Sequence, residues 1–79
     1  METDTDARYN KAVADILREK KEALGLSFDA LADATGLARA TVARMIYGQR
    51  DIKVYALRRL AEVLELDAGE VLERASSSL

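Results

Sequence analysis

Between Leu37 and Arg59 the chain carries six basic residues, Arg39, Arg44, Arg50, Lys53, Arg58 and Arg59, against a single acid, Asp51. The rest of the 79-residue sequence holds six basic and thirteen acidic residues, so a net charge of −2 conceals an uneven distribution. A basic stripe of this kind can bind phosphates, while an acidic body repels a polyanion and thereby helps to orient it. The chemistry on offer is electrostatic capture and hydrogen bonding.

Bond-making chemistry has little to work with. Histidine and cysteine are both absent, which removes the usual general base, the nucleophile–base pairs and the common zinc-ligand sets. Asp15, Glu19, Glu22, Asp29, Asp33, Glu62, Glu65 and Glu73 alternate with apolar residues at helical spacing, the pattern of a solvated helix face. No phosphate-cradling glycine loop occurs, so neither an enzyme nor a cofactor, metal or small-molecule substrate is expected. No apolar run of about 18 residues exists, and the opening METDTDARYN is acidic where a signal peptide would be basic. A cytoplasmic protein without a membrane partner is the expectation.

Short helices must position the basic stripe. The chain is 49% hydrophobic but only 5% aromatic, and its abundant alanine suits helices crossing at close range better than a sheet. With no disulfide available, one small domain spanning 1–79 must rely on close packing, with 76–79 as a frayed tail. Tyr9, Val13, Ile16, Leu17 and Leu24 form one apolar stripe, predicting a first helix from Asp6 to Leu24, followed by Gly25. Ser27 is placed to cap a second helix from Phe28 to Thr35, with Leu31 and Ala32 inward.

After Gly36, helical spacing resumes over 38–47, with Leu37, Val42, Met45 and Ile46 inward and Arg39, Ala40, Ala43, Arg44 and Tyr47 outward. Gly48 ends that helix and residues 49–53 form a loop. Val54, Leu57, Leu60, Ala61 and Leu64 then define the buried side of a fourth helix. Asp67 with Glu70 makes a capping box for a fifth, running through Val71, Leu72 and Ala75.

The second and third of these helices form a tight constellation over about 28–47. Ala32 is small where the next helix passes, Gly36 can take the positive φ of a sharp turn, and Leu31, Val42 and Met45 fill the wedge. A helix held this way exposes its far side along its whole length.

In the segments KKEALGLS, LADATGL, TVARMIYG and VYALRRLAEVLEL, from about Ile16 to Leu72, the sequence resembles the Cro and lambda-repressor type of helix-turn-helix proteins. The resemblance implies an all-α, five-helix DNA-binding domain with its helix-turn-helix at helices 2 and 3. It also implies binding of a double-stranded operator, commonly as a homodimer on near-palindromic sites. Transferred position by position, it makes Arg39, Ala40, Thr41 and Arg44 the candidates for base contact. It makes Ser27, Phe28, Tyr47, Gln49, Arg50 and Lys53 the candidates for phosphate contact. Arginine's two-pronged donor matches guanine O6 and N7, and Ala40 can meet a thymine methyl.

Three positions depart from the family's pattern. Phe28 stands where many relatives carry a glutamine that braces a base-reading side chain. Ala38 replaces the frequent Ser or Thr cap of the third helix, and Ile46 replaces an acid that often pairs with a basic residue of the first. Tyr9 and Phe28 read as packing residues, whereas Tyr47 and Tyr55 flank the basic loop with either role open. Ile52, Leu66, Leu72 and Leu79 fit a core or a dimer surface equally well. The functional expectation is a sequence-specific regulator, most simply a phage- or prophage-type repressor. The alternative is a protein-interaction module of the same fold, such as an antitoxin.

Overall fold

The computed structural model describes residues 2–79. Among these residues five helices follow one another: α1 (Glu2–Leu24), α2 (Phe28–Thr35), α3 (Arg39–Ile46), α4 (Val54–Val63) and α5 (Ala68–Ser77). α1 begins upstream of the expected Asp6, because apolar spacing marks only the part of a helix that packs. α1 lies against α3 and α5, α2 against α3 and α4, and α4 against α5. Among the described residues no helix is long and apolar enough to cross a membrane.

The elements converge on one core in which Leu17, Leu31, Val42, Ile46, Leu60 and Leu64 are completely buried and Met45, Leu57 and Val71 nearly so. Ile52, Leu66 and Leu37 are half-buried against it. Leu72 and Leu79 remain exposed. Two expectations about burial are corrected. Leu24 lies on the exposed side of the last turn of α1, and Val54, the first residue of α4, is 74% exposed. At a helix end the apolar stripe has no facing element to cover it, so spacing alone overextends the core.

Caps explain where the elements stop. Ser27 accepts a hydrogen bond from the Ala30 amide at 3.0 Å, and Asp67 accepts one from the Glu70 amide at 3.2 Å, each satisfying a first-turn donor. Ala38, extended at φ −66° and ψ 141°, brings no capping side chain to α3, so that helix starts with its leading amides open to solvent or ligand. At its other end Gly48, at φ 73°, lets the Gln49 amide reach the Arg44 carbonyl at 2.8 Å and its own amide reach Met45 at 3.1 Å. α1 passes alongside, with Lys11 Cα 3.8 Å from where a Gly48 Cβ would stand.

Glu65 closes α4 in the same manner without glycine's freedom. It sits at φ 60°, with its amide bonded to Glu62 and the following Leu66 amide bonded to Ala61 at 2.7 Å. Glu65→Gly should therefore stabilise the protein by about 1 kcal/mol. Relief of a left-handed strain of about 1–2 kcal/mol outweighs the extra freedom glycine gives the unfolded chain. Urea titration should show a higher midpoint at unchanged slope, and a lower midpoint would overturn this account.

α5 extends to Ser77, into the segment read from sequence as a frayed tail. Tyr9 ties that end down. Its hydroxyl donates to the Leu72 carbonyl at 3.0 Å and accepts from Ser76 Oγ at 3.0 Å, linking the first helix to the last.

Candidate nucleic-acid interface

α2 and α3 are joined by the turn Gly36–Ala38, with Gly36 at φ 75° and its amide bonded to the Ala32 carbonyl at 2.9 Å. Thr35, buried and unremarked in the sequence, fastens this turn. Its hydroxyl donates to the Leu31 carbonyl at 2.7 Å and accepts from the Leu37 amide at 3.3 Å. From α4, Arg59 Nη1 reaches the Thr35 carbonyl at 3.4 Å, and its guanidinium lies 5.5 Å from the centre of the Tyr55 ring. Arg58 and Arg59 are both exposed, but of the two only Arg59 bonds to the end of α2 among the described residues.

The turn lifts one side of α3 clear. Val42, Met45 and Ile46 face the core, while Arg39, Ala40 and Arg44 are exposed, Tyr47 is 55% exposed, and Thr41 and Ala43 are half-buried. Helical geometry puts residues 39, 40, 43, 44 and 47 on one stripe, so two guanidinium groups flank a floor of alanine. Small residues there allow the helix axis close to any surface it meets.

Arg18 on α1 holds the far end of this helix. Its Nη1 donates to the Ile46 carbonyl at 3.2 Å, and its Nη2 is 2.7 Å from Asp15 Oδ1. A positive group at a helix C-terminus complements the dipole and satisfies an orphan carbonyl. The basic residue of the first helix is thus present even though Ile46 supplies no acid, and it bonds to backbone instead. Burial raises the Asp15 pKa, but the hydrogen bond from Arg18 and the nearby charges of Lys11 and Arg18 more than offset this and leave it below its ordinary value.

Phe28 is half-buried, with the Tyr47 ring 5.8 Å away and the Lys21 ammonium 4.3 Å from its ring centre. Its side chain packs, and only its backbone amide, in the first turn of α2, can face a phosphate. Tyr47 shares this cluster, with the Arg18 guanidinium 5.9 Å from its ring centre. More than half of its surface nevertheless stays exposed, as does Ser27 at the start of α2.

The loop from Gln49 to Lys53 presents Gln49, Arg50 and Lys53 to solvent. What shapes it is Asn10 of α1, a residue that sequence reasoning passed over. Its Nδ2 donates to the Arg50 carbonyl at 3.2 Å and its Oδ1 accepts from the Ile52 amide at 3.0 Å. An asparagine amide here acts as a short piece of backbone, pairing with the loop on both sides. The available signal was faint, since asparagine is a poor helix former and its presence within α1 needs another reason.

Asn10→Ala should free the loop, lowering stability by about 1–2 kcal/mol. Affinity for any DNA duplex should fall several-fold, because Arg50 and Lys53 must then be ordered on binding. Thermal melting and binding isotherms on two unrelated sequences would check this. Unchanged affinity would show that the loop plays no part.

Ion pairing leaves this surface largely available. Arg39 Nε lies 2.8 Å from Asp29 Oδ1 at the start of α2, with both side chains well exposed. Arg44, Arg50 and Lys53 make no ion pair among the described residues. The convex edge of α3 and the loop after it therefore form one cationic surface.

Comparison with known proteins agrees with this geometry. Residues 17–71 match the helix-turn-helix family model, of the Cro/C1 type. The crystal structure of the restriction-modification controller protein C.AhdI from Aeromonas hydrophila is similar, at 32% identity and a TM-score of 0.72, covering 78% of this chain and 94% of that one. Two crystal structures of the clp gene regulator ClgR from Corynebacterium glutamicum share the fold at 20% identity. One has a TM-score of 0.80 and covers 89% of this chain and 74% of its own, and the other has 0.79 with 90% and 92%. The chain belongs to the Cro/C1-type helix-turn-helix family of DNA-binding transcription regulators.

Proposed function

We propose that this protein is a sequence-specific regulator that inserts the exposed stripe of α3 into the major groove of a double-stranded operator. Arg39 and Arg44 read guanine edges, Ala40 meets a thymine methyl, and Thr41 donates to a neighbouring base or phosphate. Tyr47, Gln49, Arg50 and Lys53, with the Ser27 hydroxyl and the Phe28 amide, hold the phosphate backbone. The observation that carries this reading is the division of α3, with Val42 and Ile46 fully buried while Arg39, Ala40 and Arg44 stand out in solvent. A cylinder about as wide as the groove is thus presented edge-on.

Its biological use, on this reading, is repression of the phage or prophage type, with a homodimer covering a near-palindromic site. The likeness to a restriction-modification controller protein that matches over 94% of its length favours a second use, control of a restriction-modification locus. Both require the same contacts. Selecting bound duplexes from a random pool tests the shared claim, since a recovered motif supports it and recovery of unenriched sequence overturns it. Mapping the motif onto the source genome separates the two uses, according to whether it lies before phage genes or before a methyltransferase and nuclease.

A further inference from the structure

The proposed reading assigns Arg39 to a base but does not say what aims it. An exposed arginine at the first position of a helix has many rotamers, and one left free would settle as readily on a phosphate as on a guanine. Two of the usual aids are missing. Ala38 offers no hydrogen-bonding side chain beside it, and Phe28 packs on Tyr47 and Lys21 instead of reaching forward.

Asp29 occupies the neighbouring position in the first turn of α2, and its Oδ1 holds Arg39 Nε at 2.8 Å across the turn of the motif. We propose that Asp29 is a positioning residue for base reading, fixing the guanidinium so that its two terminal nitrogens point outward as a fork. This inference rests on the assignment of α3 to the major groove.

The geometry distinguishes between arginine's two ways of presenting a pair of donors. A side-on approach uses Nε together with one Nη, and an end-on approach uses both Nη groups. With Nε bonded to Asp29, only the end-on pair is free, and that pair matches the O6 and N7 acceptors of guanine. The carboxylate also offsets the charge of Arg39 locally, which weakens its attraction to phosphates and leaves its directional hydrogen bonds to decide where it goes.

Asp29 has no comparable role in holding the fold. Its side chain is 78% exposed and that of Arg39 64% exposed, so the pair sits in water and adds little to stability. A carboxylate near the first turn of α2 does favour that helix dipole, but such a role would not alter which base is preferred. Placed beside a phosphate-binding surface, an acid without a positioning role would only oppose binding.

The test compares wild type, Asp29→Ala, Asp29→Asn and Arg39→Ala for binding to the selected site, to single-base variants of it and to an unrelated duplex, with melting curves of each free protein. In wild type, the guanine lost by Arg39→Ala identifies the position that Arg39 reads. The expected result is that Asp29→Ala lowers the preference for that guanine about tenfold, with affinity for unrelated DNA unchanged or tighter because a negative charge has gone. Asp29→Asn, which keeps an acceptor but not the charge, should fall between. In an Arg39→Ala background, Asp29→Ala should have no further effect on base preference.

Melting temperatures should stay within a few degrees of wild type throughout. The inference is overturned if Asp29→Ala retains the guanine preference, or if it tightens binding to selected and unrelated DNA by the same factor, which would make the pair a competitor of DNA. A wild-type protein that selects no site would sink the underlying groove assignment as well, and that outcome is visible before any variant is made.

Discussion

Arg44→Ala is expected to lower affinity for the selected operator by about 5- to 150-fold while affinity for unrelated DNA changes much less. The range corresponds to the roughly 1–3 kcal/mol that one well-placed bidentate contact contributes to discrimination. Arg44 is the better choice for this experiment because, unlike Arg39, it makes no ion pair among the described residues. It also lies one turn further along α3, where Schellman-type closure by Gly48 and Gln49 fixes the helix beneath it. Lys53→Ala supplies the contrast.

Lys53 ends the loop clamped by Asn10 and immediately precedes α4. A phosphate contact there would be worth nearly the same on every sequence. Its removal should weaken binding evenly and reduce the slope of log affinity against log salt by about 0.9. The division of roles between α3 and the loop fails if both variants lose affinity equally on all duplexes, or if the salt slope drops for Arg44→Ala and holds for Lys53→Ala.

Leu31→Ala should be the most damaging substitution for stability. Leu31 is completely buried on α2, the helix that packs against both α3 and α4. Truncation at such sites costs about 2–5 kcal/mol. A domain of this size has only about 4–12 kcal/mol in total, so the midpoint of thermal unfolding should drop by about 10 °C or more.

Because the wedge between α2 and α3 sets the angle of the base-reading helix, specific binding should weaken at temperatures where the protein is still folded. Circular dichroism melts together with binding at 10 °C would check both halves. A loss of less than 1 kcal/mol would mean that the wedge is filled in some other way.

The sequence was most informative where a local rule decides the outcome. Ser27 before Phe28 and Asp67 before Ala68 marked helix starts that the structure confirms by side-chain hydrogen bonds. Gly36 and Gly48 marked turns that need a left-handed residue. The spacing of Val42, Met45 and Ile46 separated the inner from the outer side of α3, and all three are buried. All of these depend on residues within a turn or two of one another, and backbone geometry transmits such information without help from the rest of the fold.

Contacts between residues distant in the chain were not legible. Nothing in the spacing of Asn10 pointed to a loop 42 residues away, the family resemblance placed a basic residue of the first helix near Ile46 without singling out Arg18, and nothing marked Arg59 for the end of α2. Composition supplied too many equivalent candidates, with twelve lysines and arginines, and any of them on an exposed helix could equally have faced water. The choice between core and surface for Ile52, Leu66, Leu72 and Leu79 was likewise made only by which helix ends happened to meet.

On its own, then, the order of amino acids determined five helices, the helix-turn-helix and the outward stripe of Arg39, Ala40 and Arg44, since capping and periodicity act over a few residues. Only the tertiary structure decided which polar side chains hold that stripe in place. Hydrogen bonds such as those of Asn10, Arg18 and Asp29 exist only after packing has brought polar atoms of separate segments within about 3 Å of one another.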